Sequence, residues 1–430
     1  MSRAWFLGIL LFVAIVGGLA TLRGAALALC IPLLLYWAFA FWGNPDELRL
    51  EVRRELTPDR VWPGAAVEVK VTVFNSGDGL EELVLEDQVP AGLEVVEGSR
   101  QHLISLGKRR EYAFEYTLRG ARGNYAFGEL HAEAGDGLGL LRTASVVTAR
   151  CQLIVMPIIS AIKAVPIRPR RTRVYAGTIP ARVGGAGVEF FGVRPYQMGD
   201  AARRINWRAV ARHPESVFSN EFQQERVADV AVVLDGRERA DLSTSGRSLF
   251  EYSIVAAGSV ASALLLQGNR VGLLVYSRYL QWTLPGYGKI QRERILQALA
   301  SADLGGSQIF EGLQYLPTRL FPPESQIVLV SPVLEDDLST IIQLRARGYQ
   351  VLVISPDPVG FELSGLPRRP SKYSRAEVQL AARIVRLERA ASMGRLRRAG
   401  VQVIEWDVSR PFDQAMRGAF RQLNWARAQS

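Results

Sequence analysis

The chain has 430 residues, 48% of them hydrophobic, 22% charged and 9% aromatic, a globular composition that excludes a disordered chain and calls for more than one folded unit. Two cysteines exclude a disulfide framework and a cysteine-built zinc or iron–sulfur site, and His102, His131 and His213 lie too far apart for an HExxH-type ligand pair. The net charge of +10 is concentrated in residues 158–228 and 366–400, which fit either a solvated basic face or a surface for acidic lipid or protein. No helix-turn-helix or RNA-binding signature accompanies them, so nucleic acid is not an expected partner.

Residues 4–20 and 25–42 are uncharged apolar runs near the length that spans a bilayer as helices. Only four residues, including Arg23, separate them, which predicts a transmembrane hairpin with Trp5 at one end and Tyr36, Trp37 and Trp42 at the other, toward the same interface. Arg3, Arg49, Arg53 and Arg54 flank that side, so the positive-inside rule places both termini and the soluble region in the cytoplasm. The competing reading takes the first run as a signal peptide, with Gly18 and Ala20 before the cleavage point, and lets the soluble part face outward.

From residue 48 to about 157 the pattern has period two. Val67, Val69, Val71 and Val73 share one face while Glu68 and Lys70 take the other, as a half-buried antiparallel strand requires. Further strands are expected at 48–56, 82–89, 112–118 and 146–155, separated by Gly-, Pro- and Asp-rich turns, and the spacing fits an immunoglobulin-like β-sandwich. Residues 158–227, rich in proline and then glycine, read as a linker carrying a motif block. Beyond them buried-strand runs at 228–234, 271–276, 326–330, 351–355 and 401–406 alternate with helical stretches, the mark of an open, mostly parallel α/β sheet. Ligands in such sheets sit at the carboxyl ends of the strands, where Asp235 falls. The fold expected is therefore multidomain: transmembrane hairpin 1–43, sandwich 47–157, linker and motif block 158–227, and α/β domain 228–430.

The densest constellation runs from Glu189 through Gly192, Arg194, Tyr196, Gly199, Asp200, Arg203, Arg204 and Trp207 to Arg212. Gly199 supplies a turn and Asp200 is placed to cap a following helix. On that helix Arg204, Arg208 and Arg212 recur at i, i+4 and i+8 as a basic stripe, with Arg203 one turn from Trp207 and able to stack on it. Two readings stand: internal pairing with Glu189, Asp200, Glu221 and Glu225, or a docking surface for an acidic partner.

This string resembles the hallmark of the bacterial and archaeal membrane proteins grouped as domain of unknown function fifty-eight. Arg122-Gly123-Asn124-Tyr125, Asp136-Gly137-Leu138-Gly139-Leu140 and Val155-Met156-Pro157 are similar to shorter segments of that family. The resemblance implies a sandwich before the motif, a von Willebrand factor A-like domain after it, and a MoxR-type AAA+ ATPase as partner. The sequence departs from the metal-binding form of that domain, which places hydroxyl residues after the first strand's aspartate. Here the run is Asp235-Gly236-Arg237-Glu238-Arg239. Arginine donates and cannot coordinate, so no metal and no cofactor is expected, and Arg237 or Arg239 is expected to pair with Asp235 in place of a cation. No Walker spacing or GxSxG elbow occurs; Gly286-Tyr287-Gly288-Lys289 reads as a hairpin turn. The basic helix over 375–397 is expected to cover the sheet, with Leu380, Ile384, Val385 and Leu387 packing inward; lipid or partner binding is its other reading. The function expected is a membrane-anchored, cytoplasm-facing interaction or scaffold protein, not an enzyme, acting with a MoxR-type AAA+ ATPase in the assembly or maturation of protein complexes. An envelope-facing adhesion or assembly factor requires the opposite topology.

Overall fold

The computed structural model describes residues 3–21, 24–43, 47–135, 142–167, 172–244, 246–306, 320–365 and 374–422. The chain divides into two compact units, Met1–Met156 and Pro157–Ser430.

The first unit opens with two apolar helices, α1 (Arg3–Thr21) and α2 (Gly24–Gly43). They pack antiparallel, Gly8 lying against Trp37 and Gly18 against Leu27, where a Cβ on Gly18 would meet the leucine side chain at 2.9 Å. Small residues at such points let two helix backbones approach. Phe6, Phe12 and Leu35 are left exposed. Among the described residues the helix long and apolar enough to cross a bilayer is a different one, Leu249–Leu266, and 78% of it is buried inside the second unit; Phe6–Ala20 is a shorter apolar helix.

The rest of this unit is a β-sandwich. One sheet has the order β1 (Leu50–Thr57), β3 (Val67–Asn75), β7 (Glu111–Gly120), β5 (Leu93–Gly98). The other has the order β2 (Arg60–Val61), β9 (Arg142–Val155), β8 (Gly123–Gly135), β4 (Leu80–Asp87), β6 (Gln101–Leu106). All pairs are antiparallel except β2 with β9. Val67, Val69, Val71 and Val73 are all buried, as the alternation predicts, and meet Leu83, Leu85, Leu130 and Leu153 of the facing sheet in one core. Burying one such side chain contributes about 1.5–3 kcal/mol. Into this core β1 also sends Arg54. Its guanidinium donates to Asp87 of β4 through Nε at 3.0 Å and through Nη2, and to the carbonyl of Ala149 in β9. Tyr116 of β7 donates to the same carboxylate at 2.5 Å, and burial foremost pushes its hydroxyl pKa far up. The two sheets are thus tied by a buried ion pair as well as by apolar contact.

The second unit departs from the expected linker. Near its start the backbone N–H of Ser160 donates to Ser259 Oγ at 2.8 Å and that of Val165 to Gln267 Oε1 at 3.3 Å, so this stretch is laid along the helix α4 (Leu249–Leu266). The proline- and glycine-rich stretch then forms β10 (Thr172–Pro195), paired antiparallel with the long β11 (Phe218–Asp235) through four register shifts. Glycine and proline here mark bulges in a strand pair rather than a break between domains.

The carboxyl half of β11 enters the sheet between β14 (Arg270–Tyr276) and β16 (Gln326–Val330), parallel to both. The full order is β15 (Leu280–Gly286), β14, β11, β16, β17 (Gln350–Pro356), β18 (Gln402–Trp406), parallel throughout except for β15. In chain order from β11 this is the 3-2-1-4-5-6 arrangement of doubly wound sheets, whose switch point lies between the first and fourth strands. The helices α4, α5 (Gly288–Ala300), α6 (Asp337–Ala346) and α8 (Arg375–Arg398) supply the cover; α9 (Phe412–Gln422) follows β18, and the expected extension of that helix to Ala426 lies outside the described residues. Between β11 and α4 the short β12 (Ser243–Thr244) pairs with β13 (Arg247–Ser248), and between β17 and α8 lies the short α7 (Pro358–Ser364). The expected turn at Gly286–Lys289 is instead the junction of β15 with α5, for which Tyr287 is the N-cap residue.

Candidate functional site

The switch point between β11 and β16 is where an open α/β sheet offers a crevice, and here Asp235 ends β11. Gly236 follows in a tight place: its N–H donates to the Tyr276 carbonyl at 2.6 Å, and a Cβ would come within 3.0 Å of that oxygen. The turn sends Arg237 back over Asp235. Arg237 Nε donates to Asp235 Oδ1 at 2.8 Å and Nη2 to Oδ2 at 2.7 Å. Nη1 and Nη2 also donate to Asp337 Oδ1 and Oδ2 at 2.8 and 2.7 Å. One guanidinium therefore bridges two carboxylates through all four of their oxygens. Ser331, just beyond β16, donates through Oγ to Asp235 Oδ2 at 2.7 Å. The N–H of Leu334 adds a bond to Asp337 Oδ2 at 3.2 Å. Burial alone would lower the pKa of Arg237; its hydrogen bonds to, and the charges of, Asp235 and Asp337 outweigh that and raise it. Of the two arginines expected to pair with Asp235, it is Arg237 that does so. Arg239 sits outside, 3.4 Å from Asp336 and 3.8 Å from Asp337. Asp337, which the sequence reading did not single out, is 100 positions from Arg237; its only local signal is the run Glu335-Asp336-Asp337 opening α6.

Chemically, the arrangement is closed. Both carboxylates spend their oxygens on a fixed cation, so they offer neither a free base nor a set of oxygens for a second ion. The loop over the site is held in an unusual backbone conformation: buried Val333 adopts φ 57°, a region β-branched residues rarely enter, and its N–H donates to Ser331 Oγ at 3.0 Å. Such a conformation costs on the order of 1–3 kcal/mol and persists where its surroundings over-determine it. From α8, Arg389 reaches the same end of the sheet and donates to the Pro332 carbonyl and Ser355 Oγ, both at 2.6 Å. Burial lowers its pKa.

The motif residues form a second feature on the connection between β10 and β11. Arg194 grips Asp200 with two bonds of 2.8 and 2.7 Å, and its Nε lies 3.7 Å from Glu221. Tyr196 donates through its hydroxyl to the Asp200 carbonyl at 3.1 Å, and the N–H of Gln197 donates to Asp200 Oδ2 at 3.0 Å. Gly199, at φ +105°, allows the chain to close this loop. Asp200 therefore buttons a turn rather than capping a helix. The helix cap is Asn206, whose Oδ1 accepts from the Ala209 N–H at 2.9 Å while its amide donates to Asn220 at 2.7 Å. The helix is the single short α3 (Trp207–Arg212), preceded by a 3₁₀ turn at Ala202–Arg204. Ile205 bridges to Ser219 between them, so the expected continuous stripe is interrupted: Arg208 and Arg212 share α3 while Arg204 stands on the preceding turn.

Asp200 and Glu221, expected to pair with the stripe, are met instead by Arg194, which that expectation did not include; of the stripe itself, Arg204 acts electrostatically on Asp200. Arg203, Arg208 and Arg212 are exposed, and among the described residues they form no ion pair. Trp207 is 69% exposed beside them, without the stacking contact expected from Arg203, and Met198 at the loop tip is fully exposed. The side chains of Glu189 and Glu225 lie outside the described residues. Gly192 lies in β10, opposite Glu221.

The Arg194 bond foremost, followed by the Gln197 N–H, holds the Asp200 carboxyl below the usual carboxylate range. A group so depressed contributes stability in full above the ordinary carboxylate pKa and loses it as pH falls through the folded value. The melting difference between wild type and Asp200→Asn is therefore expected to be present at neutral pH and to vanish in acid. A difference that persists unchanged to strongly acid pH would contradict this assignment.

The covering helix α8 also departs from expectation. Ala382, Met393 and Leu396 are its buried residues, whereas Leu380, Ile384, Val385 and Leu387 are exposed.

Comparison with known proteins finds that residues 192–368 match the model of the family described as "Protein of unknown function DUF58". The match begins inside the motif and includes β11, Arg237 and Asp337, so the family resemblance is supported over the stretch that carries both features. No curated protein matches the chain. Among solved structures, the CARDB domain of the PF1109 protein from Pyrococcus furiosus, in complex with di-metal ions, is 18% identical, over 26% of this chain and 96% of that one, with a TM-score of 0.20. A PapD-like domain of human CEP192 is 14% identical over 26% of this chain and 89% of its own, at 0.18. A FixG-related protein from Vibrio parahaemolyticus is 9% identical over 26% and 98%, at 0.17. Scores of this size carry no argument, and the fold described above rests on its own strand pairing.

Proposed function

We propose that this chain, whose central residues match a family of unknown function, is a membrane-anchored, cytoplasm-facing interaction protein that works by protein contact rather than by catalysis. The observation that carries this reading is that the guanidinia of Arg203, Arg208 and Arg212 are exposed and form no ion pair among the described residues, in a motif that also exposes Trp207 and Met198. Exposed arginine and tryptophan are the residue types that dominate binding surfaces, and a cluster of one sign favours an acidic partner. Asp200, Arg194 and Asn206 hold that surface in shape from within the loop.

In this proposal the second unit is a von Willebrand factor A-like domain with its ion position closed. The strand order and an aspartate at the end of its first strand support the assignment. The residues do not fit a divalent cation: Arg237 occupies both aspartates and stands, with Arg239, where the metal-binding form has hydroxyls. Binding would then be constitutive rather than switched by metal. The apolar helices α1 and α2 are taken as the membrane hairpin, and the partner as a MoxR-type AAA+ ATPase, which the family resemblance implies.

The test is capture of that ATPase by the full chain in membranes. Replacing Arg203, Arg208 and Arg212 by glutamate is expected to lower capture at least about tenfold and to remove its salt dependence, since exposed charges steer and screen. Unchanged capture by a folded triple variant would overturn the docking surface.

A further inference from the structure

The helix α8 carries two apolar lines on opposite sides. Ala382, Met393 and Leu396 form the buried one. With about 3.6 residues per turn, Leu380, Ile384, Leu387 and Ala391 recur at i, i+4, i+7 and i+11 on the side turned away from it. Leu380 is 61% exposed, Ile384 50% and Leu387 64%, and Ala391 is exposed with them. A helix that only covered a sheet would carry polar residues on that side.

The charge of α8 is unbalanced as well. Its sequence holds seven arginines against two glutamates. Arg389 is turned in toward Pro332 and Ser355. Arg395 lies 3.7 Å from Glu335, and Arg397 pairs with Glu405 at 2.7 Å. Arg375, Arg383, Arg386 and Arg398 are exposed and form no ion pair among the described residues. Of the glutamates, Glu377 accepts from the Ser374 N–H in the capping box, and Glu388 is exposed on the flank away from Arg383.

We propose that α8 lies along an anionic bilayer surface, with Leu380, Ile384 and Leu387 entering the acyl boundary and the exposed arginines meeting lipid phosphates. Two features of the one helix select this occupant. The outer apolar line favours a medium without water, and the excess guanidinia favour negative charge beside it; an anionic leaflet supplies both together. The arginines run from the first turn to the last, about 36 Å of helix, so they match a continuous charged surface rather than one cluster of carboxylates. Their long stems let the heads stay at the phosphates while the leucines sit deeper. This inference goes beyond the motif surface and uses none of its residues.

The experiment uses the full chain in lipid nanodiscs of phosphatidylcholine, with or without phosphatidylglycerol. In a background with Cys30 and Cys151 replaced by serine, Ile384→Cys carries an environment-sensitive fluorophore. Gln379→Cys, exposed but off the outer apolar line, carries it as the control. At 384 in anionic discs the emission is expected to shift to the blue and to be quenched by nitroxides on the acyl chains. At 379 it is not, and high salt or pure phosphatidylcholine is expected to return 384 to water. Arg383→Glu combined with Arg386→Glu, with an unchanged circular dichroism spectrum, is expected to lower the ratio of docked to free helix at least about 25-fold, since each arginine near such a surface favours it about fivefold. A probe at 384 that stays in water in anionic discs, or that docks equally to both compositions, would overturn the proposal. So would a probe shielded from water without nitroxide quenching, which would show that protein covers the line. Should the double variant fail to fold, the contrast between the two disc compositions decides.

Discussion

Arg237→Ala is expected to lower the stability of the second unit by about 3–5 kcal/mol, the largest single effect at the switch point. Asp235 and Asp337 have side chains only 0% and 2% exposed. Without the guanidinium they are two facing buried charges, and breaking a buried pair by removing one partner leaves exactly that uncompensated charge. Magnesium or manganese is expected to recover part of the loss, because removing the arginine frees carboxylate and hydroxyl oxygens that a hard cation can use. The melting temperature of the second unit, with and without the ion, checks both. A variant as stable as wild type would contradict the account, and so would a wild type stabilised by the ion through Asp235.

Asp87→Ala is expected to cost the sandwich a similar amount, about 3–5 kcal/mol. It leaves Arg54 in the core without its counter-charge and Tyr116 without its acceptor; the side chains of Arg54 and Asp87 are both 0% exposed. Hydrogen exchange of the β3 amides reads this unit separately from the other, and it should accelerate roughly 150-fold to 4000-fold. The double variant Arg54→Met, Asp87→Leu removes both charges and is expected to recover most of the loss, since apolar residues of similar volume often replace a buried pair without cost. Slow exchange in Asp87→Ala would show that the pair does not tie the sheets.

What could be read from the sequence follows from how local each signal is. The valines of β3 announce a strand because one face is buried along its whole length. Asp235 announces a strand end because a polar residue stops a continuous apolar run. Arg54 and Asp87 give no such notice, being 33 positions apart and each reading as an ordinary surface charge. The same holds for Asp337 beside Arg237. β15 went unread because seven residues ending in proline and glycine look like a turn. The i, i+4, i+8 arginine spacing predicted one helix, but Ile205 and Asn206 are held to β11, by a bridge to Ser219 and by the Phe218 carbonyl, and tertiary pairing overrides helical spacing there. The residues around β10 read as a linker because bulges and linkers use the same amino acids.

The most direct test of the whole account is the location of the second unit. Reporters active only in the cytoplasm or only outside it, fused to the carboxyl terminus, would be combined with carbonate extraction of the membranes. The account predicts a cytoplasmic terminus on a chain that resists extraction. An external terminus, or a chain released by carbonate, would contradict it, because the exposed arginines of the motif could then meet no cytoplasmic ATPase from a membrane anchor.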